Sequence, residues 1–434
     1  MKFNKWTVGL AAIGVVSLAS VARADEAKMN QVQTALSNTT ISGYVSASFN
    51  WAMSPGGNGY QNSPAVGIPY QGGKQDGFNL DVVKLSISKP QDESPWASGY
   101  QVDLLFGPDA VGYNPAREGS GNNRYYDGYS DFAIKQAYVV LRTPVGNGID
   151  WKVGVFDSPI GYESFDAGSN PNYTRSWGYA IEPTELTGVL ASYKFCDEFS
   201  LSAGIANTLM AGINQRAHSY YYDDYYDSSS NDQSKDWHKA FLGSATFTAP
   251  SSWGWAAGSS LYAGIVYGFN NNGDNGDFGD SNYHQGGNQI NYYAGATLNT
   301  PYKQLTVGAA IDYAHNLGGG YDSNGFDEPV YSEEVNVLAV GLYATVKATD
   351  KLSFNARGEY VNGEDHYNRY YNTASDDGFE LTGTVEYDLW VNVISRLELR
   401  WDHSSHAHMD FTGSGDGLDH GTAVGFYANV IYKF

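Results

Sequence analysis

The stretch GFELTGTVEYDLWVNVISRLELRWDH, residues 378–403, shows most clearly the residue pattern that indicates the fold class. Its first half, 378–389, alternates apolar or glycine positions with Glu, Thr and Asp, and its second half, 392–403, sets Leu and Trp opposite Arg, Glu and Asp. A period of two indicates a β-strand with one apolar face. Because only Trp390 and Val391 separate the halves, the stretch predicts a tight antiparallel hairpin with one apolar and one charged face.

The same alternation extends over the body of the chain in both directions. It predicts sixteen strands, at 41–52, 78–89, 98–106, 132–143, 149–156, 187–195, 199–207, 237–249, 259–269, 288–299, 304–315, 335–348, 351–361, 378–389, 392–403 and 421–434. Most have 9–12 residues, the length that a tilted strand needs to cross a bilayer. The alternation is weakest in 132–143 and 335–348.

The gaps between these segments alternate between short and long. Eight long gaps, rich in Gly, Asn, Asp, Ser and Tyr, lie at 53–77, 107–131, 157–186, 208–236, 270–287, 316–334, 362–377 and 404–420. An even number of strands places both termini on the short-turn side. This alternation of short and long gaps predicts an all-β fold. The expected architecture is a transmembrane antiparallel up-and-down β-barrel of about sixteen strands with short periplasmic turns and long extracellular loops.

Composition narrows the class of protein. The formal net charge of −22 argues against nucleic acid as a partner, since a nucleic-acid-binding surface must neutralise phosphates. The 35 tyrosines and 10 tryptophans fit the aromatic girdles of membrane barrels, although an aromatic-rich secreted β-sandwich would have a similar composition. The single cysteine, Cys196, excludes an internal disulfide.

The N-terminus predicts export. Lys2 and Lys5 precede a short apolar stretch, and Ala22-Arg23-Ala24 is a small-x-small cleavage site. We therefore expect a signal peptide at 1–24, cleaved after Ala24. Residues 25–40 are expected to be a periplasmic N-terminal segment, either a short helix or a frayed tail, and 41–434 the barrel.

Several stretches together resemble the OmpL-like family of bacterial β-barrel porins. They are GFNLDVVKL (77–85), VDLLFGP (102–108), IKQAY (134–138), VGVFD (153–157), IGYE (160–163), NPNY (170–173) and TGVL (187–190). The resemblance is strongest from about 40 to 210 and continues more loosely through LRWDH (399–403). It implies an outer-membrane barrel with a channel role, marks no chemistry and leaves the solute undefined.

The last strand agrees with this assignment independently. From Phe426 onward, every second residue of this strand is apolar or aromatic, and these residues are Phe426, Ala428, Val430, Tyr432 and the terminal Phe434. A final aromatic strand of this form resembles the assembly signal of outer-membrane barrels.

Charged residues of both signs share the polar faces of three successive predicted strands. The candidates for lining the pore are Arg357, Glu359, Glu380, Glu386, Arg396, Glu398 and Arg400. Charges on a pore wall tune ion selectivity. The alternative is that these side chains are mutually satisfied ion pairs that stiffen the wall, and both roles can hold together.

The gap 157–186 is the longest and follows the fifth strand, the place at which general porins, which this chain resembles in strand number, fold a loop inward. It carries Glu163, Asp166 and Arg175, and we expect these residues at a constriction. The alternatives are an outside lid or a latch between subunits.

Other clusters give weaker signals. Asp274, Asp277 and Asp280 could hold a cation but do not match a calcium-loop pattern. His403, His406 and His408 could bind a metal, and with Ser404 and Ser405 they raise the alternative of an outer-membrane esterase or lipase. Adjacent strand residues point to opposite faces, so His403 cannot readily activate Ser404. We expect no catalysis, no metal and no cofactor.

The sequence thus predicts an outer-membrane porin that passes small polar solutes and ions through a water-filled lumen. The expected partners are outer-membrane lipid and lipopolysaccharide, with a homotrimer by analogy to general porins. Two alternatives stay open. One is a channel specific for sugars or peptides, for which five tyrosines in one loop (Tyr220, Tyr221, Tyr222, Tyr225 and Tyr226) could stack on sugars; the other is a closed adhesive barrel.

Overall fold

The computed structural model describes residues 32–33, 39–53, 74–113, 131–209, 213–214, 219–221, 231–233, 239–269, 288–315, 336–364, 377–404 and 422–434. These ranges contain the barrel wall, the short turns and the whole connection between the fifth and sixth strands. The predictions for Asp274, Asp277, Asp280, His406, His408, Tyr222, Tyr225 and Tyr226 lie outside them.

The described chain forms sixteen long strands. They are β1 (Thr40–Ala52), β2 (Gly77–Lys89), β3 (Ser98–Phe106), β4 (Phe132–Thr143), β5 (Ile149–Asp157), β6 (Glu185–Lys194), β7 (Phe199–Ala206), β8 (Ala240–Thr248), β9 (Ser260–Phe269), β10 (Asn288–Asn299), β11 (Leu305–His315), β12 (Asn336–Lys347), β13 (Leu352–Glu364), β14 (Asp377–Trp390), β15 (Val393–Ser404) and β16 (Thr422–Lys433). Every predicted strand is confirmed, with its ends within three residues of the observed ones.

The sheet closes on itself. Each strand pairs antiparallel with the next, and β16 pairs with β1 in the register Lys433↔Tyr44. At the seam, the Gly43 N–H donates to the Phe434 carbonyl and the Phe434 N–H donates to the Gly43 carbonyl, both at 3.0 Å. Closure leaves no sheet edge, as a spanning sheet in a bilayer requires.

The two faces of the wall have opposite chemistry. On β14 and β15, Leu381, Leu397 and Leu399 point outward and are 53–58% exposed. The residues next to them, Thr382, Glu398 and Arg400, point inward and are at most 1% exposed. The outer face is therefore apolar and the lumenal face polar, as the period-two pattern predicts.

Three register shifts interrupt the ladder. They lie between Ser46 and Ala47 on β1, between Asp103 and Leu104 on β3, and between Asp388 and Trp390 on β14. A bulge re-aims the side chains beside it. In the first shift Ser46 pairs with Val82 and Ala47 with Leu80, so Asp81 is the extra residue on β2. Both Asp81 and the adjacent Val82 are buried.

Helical structure in the described ranges is short. The α-helix α1 is Trp177–Ile181, and 3₁₀ turns cover Pro108–Tyr113, Ala167–Ser169 and Ser251–Ala256. No helix in the described ranges is long and apolar enough to cross a membrane.

Three further pieces of strand are very short. Ser219–Tyr221 pairs with Asn231–Gln233. Val32–Gln33 pairs with Thr40–Ile41, so the described part of the N-terminal segment is extended rather than helical.

Candidate functional site

The connection between β5 and β6 lies inside the barrel. We call its residues 158–184 the inward segment. The Tyr173 hydroxyl donates to Ser48 Oγ of β1 at 2.8 Å, the Asn172 amide donates to Thr384 Oγ1 of β14 at 2.7 Å, and Thr297 Oγ1 of β10 donates to the Tyr162 hydroxyl at 3.3 Å. Since these strands lie on different sides of the wall, the segment crosses the lumen.

The inward segment has its own internal structure. Asn170 receives the Ser164 N–H at 2.8 Å and donates to the Ser164 carbonyl at 2.6 Å, which closes the turn 164–170. Arg175 donates to the carbonyls of Ser164, Phe165 and Tyr173 at 2.8–3.1 Å. The guanidinium group thus donates hydrogen bonds to several backbone carbonyl oxygens. Without these bonds, burying the carbonyl oxygens away from water would cost free energy.

Arg357 on β13 joins the wall to the segment. Its guanidinium donates to both oxygens of Glu380 at 3.1 Å, to Glu163 Oε1 at 2.8 Å and to the Thr174 carbonyl at 3.0 Å. All three charged side chains are nearly fully buried. Glu380 belongs to the wall and Glu163 to the segment, so one arginine bridges the two.

Two arginines of β15 repeat this arrangement with backbone oxygens. Arg396 binds Glu386 at 2.9 Å and donates to the carbonyls of Ala167 and Asn170 at 2.8 and 2.6 Å. Arg400 binds Asp402 at 2.7 Å and donates to the Arg175 carbonyl at 2.5 Å. Each arginine thus holds a wall carboxylate and the main chain of the segment together.

Two glutamates of the same wall accept N–H groups of the segment. Glu359 Oε2 and Oε1 receive Trp177 and Gly178, at the start of α1, at 2.5 and 2.8 Å. Glu398 receives Tyr173 and Thr174 at 2.5 and 2.9 Å. Carboxylates that accept backbone N–H groups satisfy donors that a loop or helix start leaves open.

Asp166 contacts the β1–β3 part of the wall, which adjoins β13–β15 across β16. It accepts from Lys84 at 2.7 Å, and Lys84 also pairs with Asp103 at 3.0 Å. The side chain of Asp166 is 40% exposed, in contrast to the nearly buried Glu163. The Tyr173 hydroxyl donates to Asp81 at 3.0 Å on the same side.

The segment meets β8–β12 mainly through apolar and aromatic contacts, to which Asn291 of β10 adds a hydrogen bond to the Ile181 carbonyl at 2.8 Å. Ile160 packs in a buried cluster with Leu242, Val266 and other apolar residues. The ring of Tyr162 stacks on Tyr343 at 4.2 Å between centroids. A Cβ atom at Gly308 would collide with the Tyr162 hydroxyl, so the glycine makes room for this ring.

Burial raises the pKa of four groups in the segment, Tyr162, Tyr173, Tyr179 and Glu182. Burial, followed by the charge of Asp312 on β11, raises the pKa of Glu182 well above its ordinary value. Burial, followed by the charge of Asp81, raises the pKa of Tyr173. Glu182 also faces Glu163 and Glu359, so the lumenal carboxyls in this part of the barrel interact unfavourably when all are ionised.

All ten residues predicted to line the pore or constriction lie where the inward segment meets the wall. Sequence reasoning did not select Lys84, Asp81 and Trp177 as site residues, and it placed Asp402 on the polar face of its strand without selecting it. The Trp177 indole N–H donates to Asp402 Oδ1 at 3.0 Å. Asp402 continues the alternation of Arg400 and could have been found from it. His403 hydrogen-bonds Thr422 at 2.9 Å, and in the described part of the chain no group of three or more His, Cys, Asp or Glu could hold a metal ion.

Comparisons with known proteins agree with this geometry. A family model described as "Putative beta-barrel porin-2, OmpL-like" matches residues 38–434. No curated protein matches the sequence.

Solved structures of similar fold are outer-membrane barrels. The outer membrane channel DcaP of Acinetobacter baumannii has a TM-score of 0.54 and 13% identity, with 93% of this chain and 99% of that chain covered. An anion-selective porin from Comamonas acidovorans has a TM-score of 0.53 and 10% identity, with 91% and 99% covered. The trimer form of OmpT, an outer membrane protein of Vibrio cholerae, has a TM-score of 0.50 and 13% identity, with 91% and 99% covered. At these identities the similarity concerns the fold alone.

Proposed function

The chain belongs to the OmpL-like putative beta-barrel porin-2 family, and from this premise we propose that small polar solutes and ions diffuse through its lumen past a constriction formed by the inward segment. The protein is a porin of the bacterial outer membrane, with an apolar outer face and a polar lumenal face. The contact of 158–184 with strands on different sides of the lumen carries the constriction proposal.

The ten predicted residues support this proposal as anchors of the constriction. Arg357, Arg396 and Arg400 are at most 2% exposed and bind both wall carboxylates and the segment. Buried, paired charges project a weaker field into water than exposed ones would. We propose that these arginines set the position of the segment first, and that their effect on ion selectivity follows from that position.

Further parts of the proposal concern assembly and export. A homotrimer is supported by the OmpT trimer of similar fold. Cleavage after Ala24, a periplasmic segment at 25–40 and contact with lipid and lipopolysaccharide are supported by the sequence pattern and the membership of the porin family. The proposed function needs no covalent chemistry and no cofactor, because diffusion of solutes through the lumen requires only a continuous water-filled channel.

A closed adhesive barrel is the second candidate, and dense packing of the inward segment favours it. Tyr173, Arg175 and Trp177 at the centre of the segment are at most 2% exposed. Swelling of liposomes that contain the purified protein separates the two candidates. A pore admits small sugars and the liposomes swell, whereas a sealed barrel that migrates as folded protein on gels gives no swelling.

A channel specific for one sugar or peptide is separated from a general pore in planar bilayers. A specific channel shows saturable block of conductance by one solute only. A general pore shows no block by one solute in particular.

A further inference from the structure

The lumenal wall is divided into a charged and an uncharged part. Strands β7–β10, FSLSAGIA, AFLGSATFT, SLYAGIVYGF and NQINYYAGATLN, contain no Asp, Glu, Lys, Arg or His. The lumenal face of β13–β15 instead carries the arginines and carboxylates that hold the inward segment. The segment is therefore fixed by charge-assisted hydrogen bonds on one side, and by apolar contacts together with hydrogen bonds from the neutral side chains of Asn291 and Thr297 on the other.

Ile160 marks a boundary on the uncharged side. A Cβ atom at Gly264 of β9 would lie 2.5 Å from Cγ2 of Ile160, so this methyl group rests directly on the β9 backbone. Towards the extracellular end, the neighbouring inward residues Leu242 and Val266 are buried with Ile160. Towards the periplasmic end, Ser244 and Thr246 of β8 are half-buried.

The half-buried residues form cross-strand rows of hydroxyl groups. In one row, Thr246 pairs with Ser200 of β7 and Tyr262 of β9. In the next row, Ser244 pairs with Ser202 and with Gly264, against which Ile160 rests. These rows of hydroxyl groups thus lie on the short-turn side of the apolar contact that Ile160 makes with β8 and β9.

Resting on the proposed function, we propose that solutes cross the level of the inward segment between Ile160 and β8–β9, and that this route favours small uncharged hydroxyl-bearing solutes such as sugars over ions. Ile160 is the gate, and the rows of Ser200, Ser244 and Thr246 bind the solute. The opposite side stays closed because its contacts are hydrogen-bonded ion pairs with the segment.

The physical basis is desolvation. Hydrophobic constrictions gate by excluding water. An ion that enters such a contact loses far more hydration energy than a neutral solute does. A neutral sugar replaces its water by Ser and Thr hydroxyls, which donate and accept equally, and it can lay its apolar face on the Tyr262 ring.

The test compares two isoleucines of the inward segment. Ile160 and Ile181 are 3% and 2% exposed, but Ile181 packs with Trp177 and Val337 instead of on β8–β9. Ile160→Asn and Ile181→Asn are reconstituted in liposomes at high ionic strength, which screens outer-loop charges. Swelling is measured with glucose, glucosamine and gluconate, which have similar size and different charge.

Wild-type protein should admit glucose faster than either ion. Ile160→Asn should speed up both ions by a larger factor than glucose, and Ile181→Asn should leave the ratios unchanged. Equal effects of the two variants, or ions faster than glucose in the wild type, overturn the route. If folded wild type and both variants admit no solute, the proposed porin function itself fails together with the route.

Cysteine accessibility gives an independent measurement. In a Cys196→Ser background, which removes the exposed native thiol, Thr246→Cys lies on the route and Thr384→Cys lies under the segment at 3% exposure in wild type. A charged methanethiosulfonate reagent should reduce the single-channel conductance of Thr246→Cys and leave Thr384→Cys unchanged. The reverse pattern places the route on the charged side and overturns the proposal.

Discussion

Replacement of Arg357 by Met should release the inward segment. Met keeps much of the apolar volume and removes the guanidinium, so Glu380 and Glu163 lose their shared cation and Thr174 loses its donor. Removing one partner of a buried ion pair costs about 3–5 kcal/mol. Glu163 becomes hydrated if the segment moves out of its packed position, which removes the penalty for its buried, unpaired charge. Glu380 cannot move in this way because it lies in β14.

A cost of this size changes the ratio of packed to displaced segment by roughly two to four powers of ten. Single-channel recording in planar bilayers is the assay. Arg357→Met should show larger conductance steps and more current noise than wild type, because the lumen widens and the released segment moves. Heat-modifiable migration on gels should stay the same, since the ladder of the barrel is untouched.

Arg142→Met is the matched control. Arg142 is also buried and binds Asp150 at 3.2 Å and the Asn147 carbonyl at 2.6 Å, both on its own β4–β5 hairpin. The conductance of this variant should equal that of wild type. The anchoring argument is refuted if Arg357→Met conducts like wild type, or if Arg142→Met produces the same increase.

Three further predictions concern packing, pH and assembly. Gly308→Ala should displace Tyr162 and raise the single-channel conductance, because the added methyl group would overpack the contact with Tyr162 at a cost of about 1–3 kcal/mol. Gly383→Ala is the control: a Cβ atom there meets nothing within 4 Å, so the conductance should stay unchanged. Since burial raises the pKa of Glu182, the packed segment binds a proton more tightly than a displaced one. Packing should therefore weaken, and conductance rise, as the pH increases above the ordinary glutamate range. Glu182→Gln should abolish that pH dependence, and a slope that persists in this variant would exclude Glu182 as its source. Deletion of Phe434 should lower the heat-modifiable fraction in isolated outer membranes, because its backbone hydrogen bonds close the β1–β16 seam; an unchanged fraction would show that the seam closes without it.

The strands could be predicted because their cause is local. Every second residue of a strand faces lipid, so apolar and polar residues alternate in 378–403 and in the other segments, and this alternation is visible in the sequence alone. Even 132–143 and 335–348, where the alternation is weak, form β4 and β12, since the length and spacing of their neighbours place them. The bulge at Asp81 could not be predicted, because a one-residue shift leaves both alternations plausible.

The partners of the lumenal charges could not be predicted either. A strand pattern suggests that opposite charges face each other across neighbouring strands. In the structure Glu359 lies directly opposite Glu380, and the two are accommodated because Glu359 accepts the Trp177 and Gly178 N–H groups while Glu380 binds Arg357. Contacts between residues nearly two hundred positions apart, such as Arg357 with Glu163, leave no local signal.

Single-channel conductance of a variant that lacks 163–177 shows whether the inward segment narrows a conducting lumen. The deletion removes Glu163, Asp166 and Arg175 together with the main-chain groups that Arg357, Arg396 and Arg400 bind. If the inward segment narrows a conducting lumen, the deleted barrel should fold, insert and conduct in larger steps than wild type. Equal conductance of the two proteins, or folded barrels that both carry no current, would contradict the account.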